Sequence, residues 1–166
     1  VISFVMGRFK AFYQEQGITV DVIQAVLAKS PTAPLDFDKR IKAVSHFKTL
    51  PESATLAAAN KRVGNILAKF DGELFEGFDL ALAEEAVENE LSSVYLSAQS
   101  KVAPAIEGKD YQLALTELAA LKAPIDAFFD GVMVMADDEK VKTNRLTLLN
   151  EIRNSFLAVA DISVLQ

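Results

Sequence analysis

Residues 51–70 read PESATLAAANKRVGNILAKF and carry the sharpest helical pattern of the chain. Its apolar residues recur every three or four positions, which is the spacing of one face of an α-helix. Pro51 suits the first turn of a helix, and Glu52 suits the positive end of the helix dipole. The stretch therefore predicts a long amphipathic helix that ends near Phe70.

Helical spacing also precedes this stretch. A first helix ends before Gly17, and a short second helix is capped by Asp21. Prolines predict a loop over residues 30–34, because proline restricts both itself and the residue before it. Asp36 or Asp38 then starts the next helix. The first part of the chain is thus predicted to be helical.

The second part has the same character. A loop is predicted over residues 71–78, followed by a long helix over residues 80–108 that is interrupted near Pro104. Later helix starts or caps are predicted at Lys109-Asp110, Pro124 and Asp137-Asp138. We found no strict apolar–polar alternation long enough for a strand. The expected fold is an all-α bundle of roughly seven to nine helices.

Composition limits the class of protein. The 166 residues are 51% hydrophobic and 24% charged, which suits one globular domain. The absence of cysteine and the single His46 exclude disulfides, thiolate metal sites and sites that need two imidazoles. No glycine-rich phosphate loop or nucleophile elbow is present, so we predict neither a catalytic centre nor a bound cofactor in this chain.

We interpret residues 1–166 as a single helical domain, with a basic-faced half over residues 1–70 and an acidic block plus C-terminal helices over residues 71–166. Because the sequence starts at Val1 without a methionine, we expect a fragment of a longer polypeptide. Its apolar runs are much shorter than the ~20 residues of a spanning helix, so no membrane partner is expected.

Charge is distributed unevenly. The net charge is -6, yet residues 36–69 contain seven basic and three acidic residues. Eight acids and no Lys or Arg lie in what we name the acidic block, residues 71–90. The acids are Asp71, Glu73, Glu76, Asp79, Glu84, Glu85, Glu88 and Glu90. A local basic surface is therefore compatible with an acidic protein.

The sharpest pattern lies in the helix of residues 51–70. At about 100° per residue, Lys61, Arg62, Asn65 and Lys69 fall within a sector of about 100°, opposite the apolar residues. We name these four side chains the cationic face. Arg and Lys reach phosphates, and Asn can read base edges. Gly64 costs about 1 kcal/mol in a helix, so close approach of a ligand or backbone is expected there. The alternative is a solvated face with a glycine that serves helix packing.

Two further groups carry possible chemistry. Asp126 and Asp130 share a helix face, and with Asp137 and Asp138 they could hold Mg²⁺. The alternative is that these carboxylates cap helices and pair with Arg145 or Arg153. Nearby apolar residues are expected in the core; they are Phe128, Phe129, Met133 and Met135.

The last group is Asn144-Arg145. Arg145 either binds phosphate or pairs with the turn at Asp137-Asp138. The sequence leaves both interpretations open.

Five segments, taken in order, carry a family resemblance. They are DVIQAVL at residues 21–27, ANKRVGNIL at 59–67, DAFFDGVMVM at 126–135, NRL at 144–146 and VADISVLQ at 159–166. Together they resemble the C-terminal part of the beta subunit of the bacterial-type, two-subunit glycyl-tRNA synthetase. The helical bundle is similar in type to the anticodon-binding domain of arginyl-tRNA synthetase.

The resemblance implies a role in tRNA recognition. In that family the alpha subunit carries the aminoacylation site, and the bundle at the end of the beta subunit binds the anticodon. We therefore expect binding to the anticodon stem-loop of glycine tRNA, by stacking, base-edge hydrogen bonds and phosphate contacts. The whole cytoplasmic ligase would use ATP and Mg²⁺, with the alpha subunit and the rest of the beta subunit as partners.

Face geometry and charge select the predicted RNA contacts. They are Arg40, Lys61, Arg62, Asn65, Lys69, Asn144 and Arg145. The low net charge departs from a typical RNA-binding surface and predicts weak, salt-sensitive binding. The rival hypothesis is a helical protein-interaction module that binds no RNA, which the acidic block favours.

Overall fold

The computed structural model describes residues 2–27 and 34–165. Within these ranges there are eight α-helices, two short 3₁₀-helices and no β-strand, which confirms the all-α prediction. The α-helices are α1 Ile2–Glu15, α2 Val20–Leu27, α3 Pro34–Thr49, α4 Ser53–Lys69, α5 Ala86–Glu107, α6 Tyr111–Ala119, α7 Lys122–Gly131 and α8 Glu139–Leu157. The 3₁₀-helices are Leu80–Leu82 and Ile162–Val164.

Each α-helix contributes at least one side chain to a single buried apolar cluster. Its largest members are phenylalanines: Phe37 and Phe47 from α3, Phe128 from α7 and Phe156 from α8. The rings of Phe47 and Phe156 meet edge to face, with centroids 6.3 Å apart. Burial of such a side chain contributes about 1.5–3 kcal/mol. The core therefore joins the N-terminal helices to the last one and fixes α4 against α7 and α8.

Several local predictions are confirmed. Helix α4 ends at Lys69 with Phe70 as its C-cap, and residues 51–52 form the turn before it. Asp110 caps α6 by accepting a hydrogen bond from the backbone N–H of Leu113. Asp138 caps α8 by accepting from two backbone N–H groups, at 2.9 and 3.1 Å. These side chains satisfy donors that the first turn of a helix leaves open.

The prediction near Pro104 is wrong. Helix α5 runs through Pro104 without a break, and the interruption lies instead at residues 83–85. Pro104 is exposed, so water can satisfy the carbonyl that loses its helical hydrogen bond. The break has its own cause, because Glu85 and Glu88 form a capping box that starts α5.

Two other boundaries differ in detail. Helix α2 starts at Val20, so Asp21 lies in the first turn and pairs with Lys48 at 2.7 Å. The predicted loop over residues 30–34 lies outside the described residues, except that Pro34 begins α3.

Candidate nucleic-acid interface

The cationic face lies on the outer side of α4. Lys61, Arg62, Asn65 and Lys69 are all exposed, whereas Leu56 and Val63 on the opposite side are buried. Within residues 2–27 and 34–165, none of the three cations forms an ion pair. Their charges therefore face solvent and can meet an anionic ligand.

Two open grooves flank this face. The tail groove, of about 590 Å³, lies between α4 and the C-terminal 3₁₀-helix and is bordered by Gln24, Lys61 and Ser163. The Phe129 groove, of about 340 Å³, lies between α4 and α7 and is bordered by Arg62 and Phe129. The cationic face is thus a ridge with a concave surface on each side.

Arg62 is oriented by an aromatic ring and not by a carboxylate. Its guanidinium carbon lies 4.2 Å from the centre of the Phe129 ring, which is a cation–π contact. Such a contact contributes about 0.5–1 kcal/mol at an exposed site. Asp126, in the same groove, pairs with Lys122 at 3.0 Å instead. Arg62 therefore keeps its hydrogen-bond donors available.

Gly64 makes room for a guanidinium. A Cβ atom at Gly64 would lie 3.3 Å from Nε and 3.4 Å from Nη2 of Arg153. The neighbour at this position is thus a side chain of α8, as the packing interpretation predicts, and not a ligand or another backbone. Because Gly64 is about 200° from Arg62 around the helix, Arg153 lies on the other flank of the ridge. Sequence reasoning left Arg153 out of the predicted site, although the mid-helix glycine was the signal for a packed neighbour.

Arg40 must be corrected from an RNA contact to a structural residue. Its Nε pairs with Asp36 at 2.7 Å, and its Nη1 donates to the carbonyl oxygens of Ala158 and Val159 at 2.8 and 2.6 Å. Its Nη2 donates to the hydroxyl of Tyr111 at 3.1 Å. These carbonyls follow the end of α8, so the cation stabilises the negative end of that helix.

Asn144 is also structural. It is fully buried, and its side-chain amide bonds both the N–H and the C=O of Asp79, at 2.7 and 2.9 Å. Thr147, one turn later, accepts a hydrogen bond from the N–H of Phe75. Asn144 thus anchors the acidic block to α8 and is not placed to meet RNA.

Arg145 is the third correction. Its side chain is 5% exposed and pairs with the fully buried Glu88, through contacts of 2.9 and 3.3 Å. Its Nη1 donates to the backbone oxygen of Met133 at 2.7 Å. The expected pairing with the turn at residues 137–138 is therefore wrong, and so is the alternative of phosphate binding.

The charge of Glu88 is retained inside the protein. Burial by itself would raise the pKa of this carboxyl group, but its hydrogen bonds act in the opposite direction. These bonds come from Arg145 and from the backbone N–H groups of Glu84 and Glu85. The pKa of Glu88 is consequently held below its ordinary value.

The four aspartates do not form one site. Asp126 and Asp130 border the Phe129 groove, whereas Asp138 caps α8. Among the residues that the structure describes, no group of three His, Asp or Glu side chains could hold a metal ion. The hypothesis of a carboxylate-metal site receives no support.

The placement of two methionines was predicted wrongly. Phe128 is buried as expected, but Met133 and Met135 are 69% and 46% exposed. They follow α7 in a segment that Arg145 holds through the carbonyl of Met133. Leu80, in the acidic block, is 60% exposed as well. Apolar and acidic side chains thus share this part of the surface, which we name the acidic end: residues 71–85 and 132–137.

Comparison with known proteins supplies the family. The DALR anticodon binding domain matches residues 56–164, which run from α4 to the last 3₁₀-helix. The beta subunit of glycine--tRNA ligase from Colwellia psychrerythraea is 72% identical over all 166 residues. The corresponding subunits from Aliivibrio fischeri and Vibrio cholerae are 60% identical over the same span.

The chain covers 24% of the length of each of these relatives. In the described ranges, no helix is both long and apolar enough to cross a membrane. The family match spans the cationic face, most residues of the two grooves and the corrected polar residues of α8. The chain belongs to the DALR anticodon-binding domain family.

Proposed function

We propose that this chain is the tRNA-binding module of a glycine–tRNA ligase beta subunit and that it contacts the anticodon stem-loop through α4. One observation carries the proposal: within the segment matched by the family, the exposed cations of α4 have no carboxylate partner among the described residues. Cations that form no ion pair within the described residues are available to bind an anionic ligand.

The side chains of the cationic face suit different parts of the RNA. Lys61 and Lys69 are flexible cations that fit phosphates of the RNA backbone. Asn65 lies between them on the helix surface and offers both a donor and an acceptor to a base edge. Arg153 supplies a further cation on the flank of the ridge. The proposed contact set is therefore Lys61, Arg62, Asn65, Lys69 and Arg153.

The activity of the whole enzyme is part of the proposal. In it, ATP-dependent attachment of glycine to tRNA takes place elsewhere, in a site supplied by the alpha subunit, with ATP and Mg²⁺ bound there. This chain contributes recognition of the tRNA and holds no cofactor. Its partners are glycine tRNA, the alpha subunit and the rest of the beta subunit.

Binding of a labelled stem-loop tests this function. The chain is titrated with the anticodon stem-loop of glycine tRNA and with the same stem-loop carrying a different anticodon, in low salt. We expect tighter binding to the glycine loop. Affinity should fall as salt rises, with a log–log slope of about −0.7 for each phosphate neutralised on a single strand. Absence of binding to both loops would contradict the proposal.

A second function, protein docking, is favoured by the acidic end. Four large apolar side chains are exposed there: Phe75, Leu80, Met133 and Met135. The acidic block contains eight acids and no basic residue. Exposed apolar side chains that are grouped, and not scattered singly, mark a protein interface. We assign this surface to contact with the alpha subunit or the rest of the beta subunit. Leu80→Asp together with Met133→Asp should weaken that assembly and leave stem-loop binding unchanged.

A further inference from the structure

The Phe129 groove has the shape and chemistry of a base-binding site. The guanidinium carbon of Arg62 lies over the Phe129 ring, 4.2 Å from its centre, and the side chain is exposed. A guanidinium is planar, and unstacked RNA bases stack on aromatic rings and on guanidinium planes. The groove is open to solvent and has a volume of about 340 Å³, so a planar ring can enter it from outside. The groove can therefore accept one flat ring beside Arg62.

The carboxylates in the groove decide what that ring must carry. Asp126 is engaged by Lys122, whereas the exposed Asp130 has no ion-pair partner in the part of the chain that the structure describes. An ionised carboxylate only accepts hydrogen bonds, and it repels phosphate. The groove consequently suits a base edge with an amino donor, while the phosphates suit Lys61 and Lys69 on the ridge.

We infer that the Phe129 groove binds one unstacked cytosine of the anticodon, stacked on Arg62, with its exocyclic amino group donating to Asp130. This inference rests on the proposed function. All glycine codons begin with GG, so the anticodons that read them share two adjacent cytosines. Cytosine is thus an amino-bearing base that every such anticodon contains, and Asp is a suitable acceptor for its amino group.

The geometry makes the site selective against uracil. Uracil has a carbonyl oxygen where cytosine has the amino group, so two acceptors would face each other at Asp130. A good base contact of this kind discriminates by about ten-fold or more. Glycine anticodons contain two shared cytosines, and this groove binds one of them. Replacement of that cytosine by uracil should therefore weaken binding of the stem-loop.

The experiment compares three forms of the full chain: the unaltered protein, Asp130→Asn and Arg62→Lys. Each is titrated in low salt with the glycine stem-loop and with stem-loops in which one shared cytosine is replaced by uracil. The unaltered protein should bind one of the uracil loops about ten-fold more weakly. Asp130→Asn should bring that ratio close to one, because an amide both donates and accepts.

Arg62→Lys should weaken binding of cytosine and uracil loops alike, because lysine keeps the charge but lacks a plane for stacking. Asp137→Asn, which neutralises an exposed carboxylate outside the groove, is the matched control and should leave the ratio unchanged. Circular dichroism melts verify that each variant is folded.

The outcomes distinguish failure of the groove assignment from failure of the proposed function. If the unaltered chain prefers cytosine and Asp130→Asn keeps the full preference, the groove assignment is overturned while the proposed function stands. If the unaltered chain binds both uracil loops as tightly as the glycine loop, the groove does not select cytosine and the assigned base is wrong. If no stem-loop binds the unaltered chain, both the function and this inference fail.

Discussion

The contrast between α4 and α8 is informative, because both helices carry an arginine and an asparagine that sequence reasoning treated alike. On α4, Arg62 and Asn65 are exposed. On α8, Arg145 is 5% exposed and Asn144 is fully buried. The same residue types thus lie on the surface in one helix and in the interior in the other. What differs is the partner that the fold brings to each.

The partners on α8 come from distant parts of the sequence. Glu88, on α5, reaches Arg145 across 57 positions, and Asp79 reaches Asn144 across 65. Both polar residues of α8 are therefore covered by the acidic block. The cationic face of α4 has a ring beside it at Phe129, and none of its cations forms an ion pair with a carboxylate of the described residues. Four predictions test whether the polar residues of α4 bind RNA while those of α8 stabilise the fold.

The largest effect is expected from Arg145→Leu. This change leaves Glu88 buried without its cation, and loss of one partner from a buried pair costs about 3–5 kcal/mol. Urea denaturation followed by circular dichroism measures the free energy of unfolding. The double variant Arg145→Leu with Glu88→Gln should regain much of the loss. A loss below about 1 kcal/mol for the single variant would show that the pair is not structural.

Arg62→Glu should affect RNA binding strongly and stability only slightly. Since Arg62 is exposed, the free energy of unfolding should change by about 0.5–1 kcal/mol at most, with loss of the contact to Phe129. Binding of the glycine stem-loop should weaken about ten-fold in low salt, through repulsion of phosphate. Lys101→Glu on α5 makes the same charge change outside the cationic face and should bind normally. Equal binding by both variants would exclude α4 as the RNA surface.

The stability contributed by Glu88 should depend on pH. Its pKa is lower in the folded protein than in the unfolded chain, so the contribution is fully present above the ordinary glutamate value of about 4.3. It is lost as the pH falls below that value towards the folded pKa. The difference in unfolding free energy between the unaltered chain and Glu88→Gln should therefore shrink on acidification. A difference that grows would reverse the assigned direction of the pKa shift.

Gly64→Ala should have the smallest combined effect on stability and RNA binding. Alanine gains up to about 1 kcal/mol of helix propensity over glycine. The new Cβ atom would approach Nε of Arg153 to 3.3 Å, and that flexible side chain can move away. We expect a stability change within about 1 kcal/mol and stem-loop binding weakened a few-fold, because Arg153 is displaced from the ridge. Unchanged binding would remove Arg153 from the proposed contact set.

Sequence patterns predicted the local features well. Helix α4, its two faces and the caps at Asp110 and Asp138 depend on residues a few positions apart, and all are present. Such features follow from helical periodicity and from open N–H groups at helix starts.

The misassigned residues share a non-local cause. Arg40 bonds carbonyls 118 and 119 positions away, and Arg145 meets Glu88 in the interior. Periodicity describes a helix in isolation, so it cannot tell which polar face another segment covers. The same reason explains why Met133 was placed in the core and why Arg153 was left out of the site.

Nuclear magnetic resonance mapping with the glycine stem-loop tests the central claim most directly, since it reads both regions in one sample. The 18.1 kDa chain is labelled with ¹⁵N and titrated with unlabelled RNA in low salt. We expect shifts concentrated at residues 58–69, Phe129 and Arg153, with Glu88, Asn144 and Arg145 unaffected. Shifts concentrated around the acidic block and the start of α8, with α4 unchanged, would contradict it.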